Sequence, residues 1–316
     1  MEKIKSLFFA HKTTVILVAV LILLGGGGLI AFQKFTSNSS GPIEEVDLSF
    51  DAEGPYALTF PRRDGNALVL NLKRTGSYDS ISYELAYAST PDEIVVRGNK
   101  VLDEGEGKVS GAIDRGVKGD IDTKEKKGEY EQEILFGTCS KNVCKYDQGV
   151  ENGTLTLHIV RASSGGKGKV AYRMVTQWHL QKPDVALGSL TSGDGHFVYN
   201  ASLQERSDVI ASDYKVDGDR QILSNVGFTI INDLTGVPKL PSGKVVLGKV
   251  YALNVPIAKS LPAGTVNLEL AENAPDGVKI YRYDNEWKEL DTKVTGAKLS
   301  AKADGAGIFA VLVPSK

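Results

Sequence analysis

Along most of the chain, apolar and polar residues alternate one for one. The stretch 81–87, ISYELAY, is the cleanest case. Ile81, Tyr83, Leu85 and Tyr87 fall on one face; Ser82, Glu84 and Ala86 fall on the other. A period of two is the strand period, so the pattern predicts a half-buried β-strand. The same alternation groups Leu68, Leu70 and Leu72 within 67–72. In 154–159 it turns Leu155, Leu157 and Ile159 inward and Thr154, Thr156 and His158 outward. In 171–180 it sets Tyr172, Met174, Trp178 and Leu180 against Arg173, Gln177 and His179. Shorter candidates lie at 56–60, 93–96 and 131–136. Turn signals separate them: Asp64-Gly65, Thr75-Gly76, Asn152-Gly153 and the glycine-rich 163–168. Evenly spaced strands with one polar face predict an antiparallel β-sandwich over 44–182.

Periodicity stops at 183–195, PDVALGSLTSGDG, which reads as a linker. Beyond it, 226–231, 245–255, 265–270, 278–283 and 308–313 predict the strands of a second sandwich, 196–316. Residues 245–255 are expected to bulge at Gly248, since a glycine inside a strand marks such a site. Residues 308–313 are uniformly apolar, as a strand buried on both faces would be. One short helix is expected at 204–214. Residues 103–127 mix both charge signs with glycines and predict an exposed hairpin or loop. Asp120-x-Asp122-x-Lys124 approaches a calcium loop, but the third ligand position is lysine and no glycine follows at the sixth.

One segment breaks the alternation altogether. Residues 13–32, TTVILVAVLILLGGGGLIAF, carry no charge and are bracketed by Lys12 and Lys34. As a helix they would span about 30 Å, the thickness of a bilayer's hydrocarbon core. Lys3, Lys5, His11 and Lys12 precede them, while Glu44, Glu45 and Asp47 follow. The positive-inside rule then puts 1–12 in the cytoplasm and everything after the anchor outside. Residues 33–43 read as a stalk. Gly25–28 is tolerable in a membrane span, as a flexible stretch or a close-packing face. A signal peptide cleaved at Gly26-x-Gly28 is the competing reading, opposed by the apolar run 29–32 that continues past the glycines. The fold class expected is mainly β: an N-terminal transmembrane helix followed by two tandem antiparallel β-sandwich domains.

Charge and cysteine usage refine the placement. A net charge of −2 leaves no electrostatic footprint for nucleic acid. Cys139 and Cys144 are the two cysteines, and an extracytoplasmic position favours a disulfide between them. Four intervening residues exclude a C-x-x-C redox motif, and two cysteines fall short of a structural zinc site. The bridge would close a small loop and stiffen a loop tip; a free pair is the alternative.

No catalytic, cofactor-binding or metal-binding set emerges. The histidines are His11, His158, His179 and His196. His158 and His179 sit on the polar phases of their strands and read as surface residues, although facing strands could bring them together as half of a metal site. Nucleophile-elbow, zincin, P-loop and dinucleotide signatures are missing. The glycines of 163–168 lie between strands and read as a hairpin turn.

The tail, VKIYRYDNEWKELDTKVTGAKLSAKADGAGIFAVLVP, resembles the end of bacterial cell-surface β-sandwich modules of the ZU5-like and immunoglobulin-like kind. An aromatic strand ending in Asp284-Asn285, then Trp287-Lys-Glu-Leu290, then a last strand Gly307-Ile-Phe-Ala-Val311 carry the likeness, over about forty residues. It implies a structural or adhesive module without catalytic residues. Trp287 is expected to plug the sandwich end with Leu290 beside it. Some ZU5-type domains cleave themselves at His-Phe-Ser; here His196-Phe197 is followed by Val198, which lacks the hydroxyl nucleophile.

The function expected is therefore that of a single-pass cell-surface protein, not an enzyme. It would present sandwich domains for adhesion, envelope structure or protein binding, without a cofactor. Its partners would be the membrane and a surface protein or glycan, with 103–127 and 137–146 as contact regions. The alternative is a surface carbohydrate-binding module or an envelope-acting hydrolase.

Overall fold

Where the alternation is cleanest, the chain is strand. The computed structural model describes residues 45–75, 78–90, 113–122, 129–141, 143–162, 169–182, 189–201 and 226–315. The segments 1–12, 13–32 and 33–43, the strand at 93–96, the turn at 163–168 and the helix at 204–214 lie outside them. Among the described residues no helix is long and apolar enough to cross a membrane.

The first half contributes β1 (Glu45–Asp47), β2 (Tyr56–Pro61), β3 (Ala67–Lys73), β4 (Ser80–Ser89), β5 (Ile113–Ile121), β6 (Glu129–Leu135), β7 (Gly137–Ser140), β8 (Val143–Tyr146), β9 (Asn152–Ala162) and β10 (Lys169–Gln181). The second adds β11 (Ser189–Thr191), β12 (Phe197–Ala201), β13 (Thr229–Asp233), β14 (Lys244–Asn254), β15 (Gly264–Glu269), β16 (Lys279–Asp284), β17 (Glu286–Glu289), β18 (Thr292–Thr295), β19 (Lys298–Ala303) and β20 (Gly307–Pro314). The chain is mainly β, in several antiparallel sheets.

A ten-stranded sheet runs in the order β17-β16-β20-β14-β13-β10-β9-β4-β5, with β1 added beside β10. Its central joint is β10 with β13, antiparallel, with Trp178 opposite Asn232 and Leu180 opposite Ile230. Strands from both sides of 183–195 therefore share one sheet. Glu45–Ala162 and Val170–Lys316 cluster as one compact unit. The length of β10 permits this: its start pairs with β1 and its end with β13.

Two smaller sheets cover this frame, one on each face. The three-stranded sheet β2-β3-β6 packs Leu68, Leu70, Leu72 and Ile134 onto Leu85, Leu157, Trp178 and Ile230. The five-stranded sheet β11-β12-β15-β19-β18 packs Phe197, Tyr199, Val266 and Leu299 onto Ile231, Tyr251, Leu253 and Phe309. Ile230 and Ile231 are neighbours on β13 and point to opposite faces. The covering sheets therefore lie on opposite sides. A third cluster, Val250, Ala252, Ile308, Ala310 and Leu312 with Tyr56, fills the remaining inner surface. This is why 308–313 is apolar without alternation: Phe309 and Val311 serve one core and Ile308, Ala310 and Leu312 the other.

Buried polar groups fix the register between layers. Asn232 donates through Nδ2 to the Ala57 carbonyl at 2.8 Å and accepts from Thr59 Oγ1 at 3.0 Å. Asn254 Nδ2 donates to the Thr59 carbonyl at 3.0 Å. These bonds tie β2 to the ten-stranded sheet and give the buried Asn232 and Asn254 side chains and the Thr59 hydroxyl and carbonyl their partners.

Several local expectations are met and others corrected. Gly248 has φ of 75°, and the β14–β20 register shifts between Leu247 and Tyr251, as a bulge requires. Within 103–127, Ile113–Ile121 is a strand paired with β4 along its whole length. Asn152-Gly153 is no turn but the start of β9. A Cβ on Gly153 would stand 2.3 Å from Trp178 Cζ2, so the glycine makes room for the indole. Trp287 and Leu290 do not sit together. Trp287 packs edge-on to Tyr283 with centroids 5.3 Å apart, against the third cluster, whereas Leu290 packs against the second.

Candidate functional site

Cys139 and Cys144 are disulfide-bonded, with Cα atoms 4.0 Å apart. They face each other across the β7–β8 hairpin, which forms a two-stranded sheet of its own. The hairpin carries few apolar residues, and Val143 at its tip is 74% exposed. Its root is firm. Phe136, immediately before Gly137, is fully buried and stacks on Trp178 with centroids 5.4 Å apart. Tyr87 meets Phe136 edge-on and donates its hydroxyl to Asp147 Oδ2 at 2.7 Å. Burial and that carboxylate push the Tyr87 phenol well above its ordinary range. A rigid aromatic stack thus holds a stapled, solvent-exposed hairpin.

Behind the stack, the face of β5, β4, β9 and β10 that no described sheet covers carries a shallow groove of about 660 Å³. Alternation dictates its lining. Ala86 and Ala88 from β4, Asp114 from β5, Thr154 from β9 and Gln177 from β10 all occupy outward phases. Asn152 closes one end with Gly193, whose absent side chain leaves the Asn152 amide oxygen 3.4 Å from the Cβ position. The floor is small because of Ala86, Ala88 and Gly153. Beneath Gly153 lies the Trp178 indole, whose Nε1 is buried and has no hydrogen-bond partner among the described residues.

Gly193 begins a second constellation. The β11–β12 turn closes with Ser192 N donating to the Phe197 carbonyl at 2.9 Å. It presents Asp194 to β14. Asp194 Oδ1 accepts from Ser192 Oγ at 2.6 Å and from the His196 amide at 3.2 Å. Its Oδ2 accepts from Lys249 Nζ and from the Tyr251 hydroxyl, both at 2.8 Å. Burial pushes the Asp194 carboxyl up, but the bonds from Lys249, Ser192, Tyr251 and the His196 amide together outweigh it. They hold it well below the usual carboxylate range. Asp233 nearby accepts the Gln177 amide at 2.6 Å. Its pKa moves the other way: burial raises it, against that amide bond and Lys249. Two carboxylates with opposite shifts resemble an acid–base pair. Asp194, however, spends both oxygens on four donors from its own chain. The cluster works as a clasp between the five-stranded sheet and the ten-stranded one. A cleft of about 320 Å³ beside it is lined by Leu268, Leu270, Val311 and Tyr251.

The histidines do not converge. His158 Nδ1 lies 2.6 Å from Glu45 Oε1, and Glu45 pairs with Ala171. His179 Nδ1 lies 2.7 Å from Asn152 Oδ1. From Ala171 to His179 is about 26 Å along β10 at about 3.3 Å per residue, so no half metal site forms. Desolvation lowers the His179 pKa. His196 sits in the β11–β12 turn beside Asp194. Among the described residues no group of three or more His, Cys, Asp or Glu could hold a metal ion.

The groove and the clasp were not singled out by sequence. The groove's residues run from Ala86 to Gly193, more than a hundred positions apart, and pairing across four strands assembles them. A signal for the clasp did exist: Ser192-Gly-Asp194-Gly is tight-turn chemistry between two apolar residues, Leu190 and Phe197. Compared with models of known families the chain matches none, and no curated protein matches it.

Proposed function

We propose that the chain is a single-pass, membrane-anchored protein whose β-rich body lies outside the cell and works by binding, in adhesion, envelope structure or capture of a surface partner. Residues 13–32 are the anchor, with 1–12 inside and 33–43 as the stalk. The body is a pair of sandwich-like halves that share the ten-stranded sheet. One observation carries the reading: the Cys139–Cys144 hairpin. An exposed disulfide belongs to an oxidising compartment. A hairpin that is stapled at its tip and rooted in a core aromatic stack is pre-organised, which lowers the entropy lost on binding. The tail's resemblance to cell-surface sandwich modules points the same way.

The test is site-specific photo-crosslinking on intact cells with the full-length chain. A photoreactive residue at Val143 is expected to give one reproducible adduct. The same residue at Val294, also exposed but on β18, is expected to give none. No adduct from position 143, or identical adducts from both positions, would overturn the proposal.

A further inference from the structure

We infer that the groove over β5, β4, β9 and β10 is a binding site for a neutral, hydroxyl-rich oligosaccharide. This rests on the groove alone and is independent of the hairpin. Its volume falls within the range of small-ligand sites.

The chemistry of the lining selects the ligand class. Gln177 and Asn152 offer amide donors and acceptors, Thr154 a hydroxyl, Asp114 a carboxylate. Each of these groups bonds a sugar hydroxyl, which both donates and accepts. The Asn152 amide oxygen is held by His179 Nδ1 at 2.7 Å, which fixes the side chain, and its NH₂ makes no hydrogen bond among the described residues. Arg115, at the rim, is paired with Asp147 at 3.5 Å. Among the described lining residues Arg115 is the one cation and is already matched, and Asp114 makes no hydrogen bond or ion pair with a described residue. A polyanion would meet net repulsion here, while a neutral ligand meets none.

The shape agrees. Ala86, Ala88 and Gly153 keep the floor low enough for a flat ring to approach the sheet. The groove crosses four strands, about 14 Å at about 4.8 Å per strand spacing, and is open along its length, as a linear chain of sugars requires. Under the sheet at Gly153 lies the Trp178 indole, whose Nε1, like the Thr176 hydroxyl beside it on β10, has no hydrogen-bond partner among the described residues. The indole carbon next to Nε1, Cε2, is 2.6 Å from where a Cβ on Gly153 would stand. The indole thus lies against the core side of the sheet directly under the groove floor, close enough for its emission to respond to what settles above Gly153.

Tryptophan fluorescence reads this directly, because the chain has two tryptophans and one underlies the groove. The full-length protein carrying Trp287→Phe, held in a detergent free of sugar headgroups, reports Trp178 alone. It is titrated with neutral hexasaccharides of β-1,4-glucose, α-1,4-glucose, β-1,4-mannose and β-1,4-N-acetylglucosamine, with hexagalacturonate as the acidic comparison. At least one neutral member should give a saturable change in Trp178 emission, and hexagalacturonate none. Ala86→Arg, an exposed floor position, and Gln177→Ala should each weaken that binding at least tenfold. Their far-UV spectra and melting temperatures should match the parent. No response to any neutral sugar overturns the proposal and assigns the face to another class of partner. So does a response that Ala86→Arg leaves intact, or an equal response to hexagalacturonate. Failure here leaves crosslinking from Val143 unaffected, so the two readings fail separately.

Discussion

Asp194 and Asp233 show how burial and hydrogen bonding decide the same side chain's behaviour in opposite directions. Asp194's folded pKa lies below its unfolded value near 4, so its contribution is full above that pH. It is lost as the pH falls through the folded value. Asp233's folded pKa is raised, so its ionisation costs stability as the pH climbs, and the cost vanishes in acid. Asp194→Asn is expected to lower unfolding free energy at pH 7 by about 1.5–3 kcal/mol, the scale of hydrogen bonds to a charged group. The deficit should shrink below about pH 4. Asp233→Asn keeps an acceptor for the Gln177 amide and removes the penalised charge; its stability at pH 7 should equal or exceed the parent's. Urea titrations at pH 7 and pH 3 check both. A pH-independent deficit for Asp194→Asn would refute the clasp's electrostatics. Gly153 teaches a related lesson: Asn-Gly is a turn signal by composition, yet the indole of Trp178, twenty-five residues on, fixes its role inside a strand.

At the scale of elements, alternation was legible and pairing was not. Residues 67–72, 81–87, 154–159 and 171–180 became β3, β4, β9 and β10 with the inward residues as read, because each strand buries one face and the pattern records which. β5 was obscured by its own sequence. IDRGVKGDI is an edge strand, and charges and glycines are what an edge carries to resist further pairing. The groove was invisible for a related reason, since its floor is made of alanines and glycine that announce nothing individually. The Cys139–Cys144 bridge closes a very short loop, so its effect on unfolding is about 2 kcal/mol and local. In the Cys139→Ala/Cys144→Ala variant, hydrogen exchange of 137–146 should accelerate, while β9 and β10 keep their protection. Acceleration spreading to β9 and β10 would mean that the staple, and not the Phe136–Trp178 stack, holds the core end.

For the whole molecule, the β10–β13 joint matters most. It carries one sheet across 183–195, where composition suggests a linker, because loss of periodicity reports a connection and not what the flanking strands pair with. A shared sheet couples the two halves. The detergent-held chain should therefore unfold in one transition by far-UV circular dichroism and by Trp178 and Trp287 emission alike. Trp178 lies in the first-half core and Trp287 beside β16, so separate midpoints for the two probes would contradict that coupling.

The placement of that body outside the membrane is the claim on which the binding reading depends. Its most direct measurement is antibody access to epitope tags on intact cells, compared with permeabilised ones. A tag after Lys316 should give equal signal in both, and a tag before Met1 should appear only after permeabilisation. A carboxy-terminal tag that stays hidden until the cells are opened would contradict the reading.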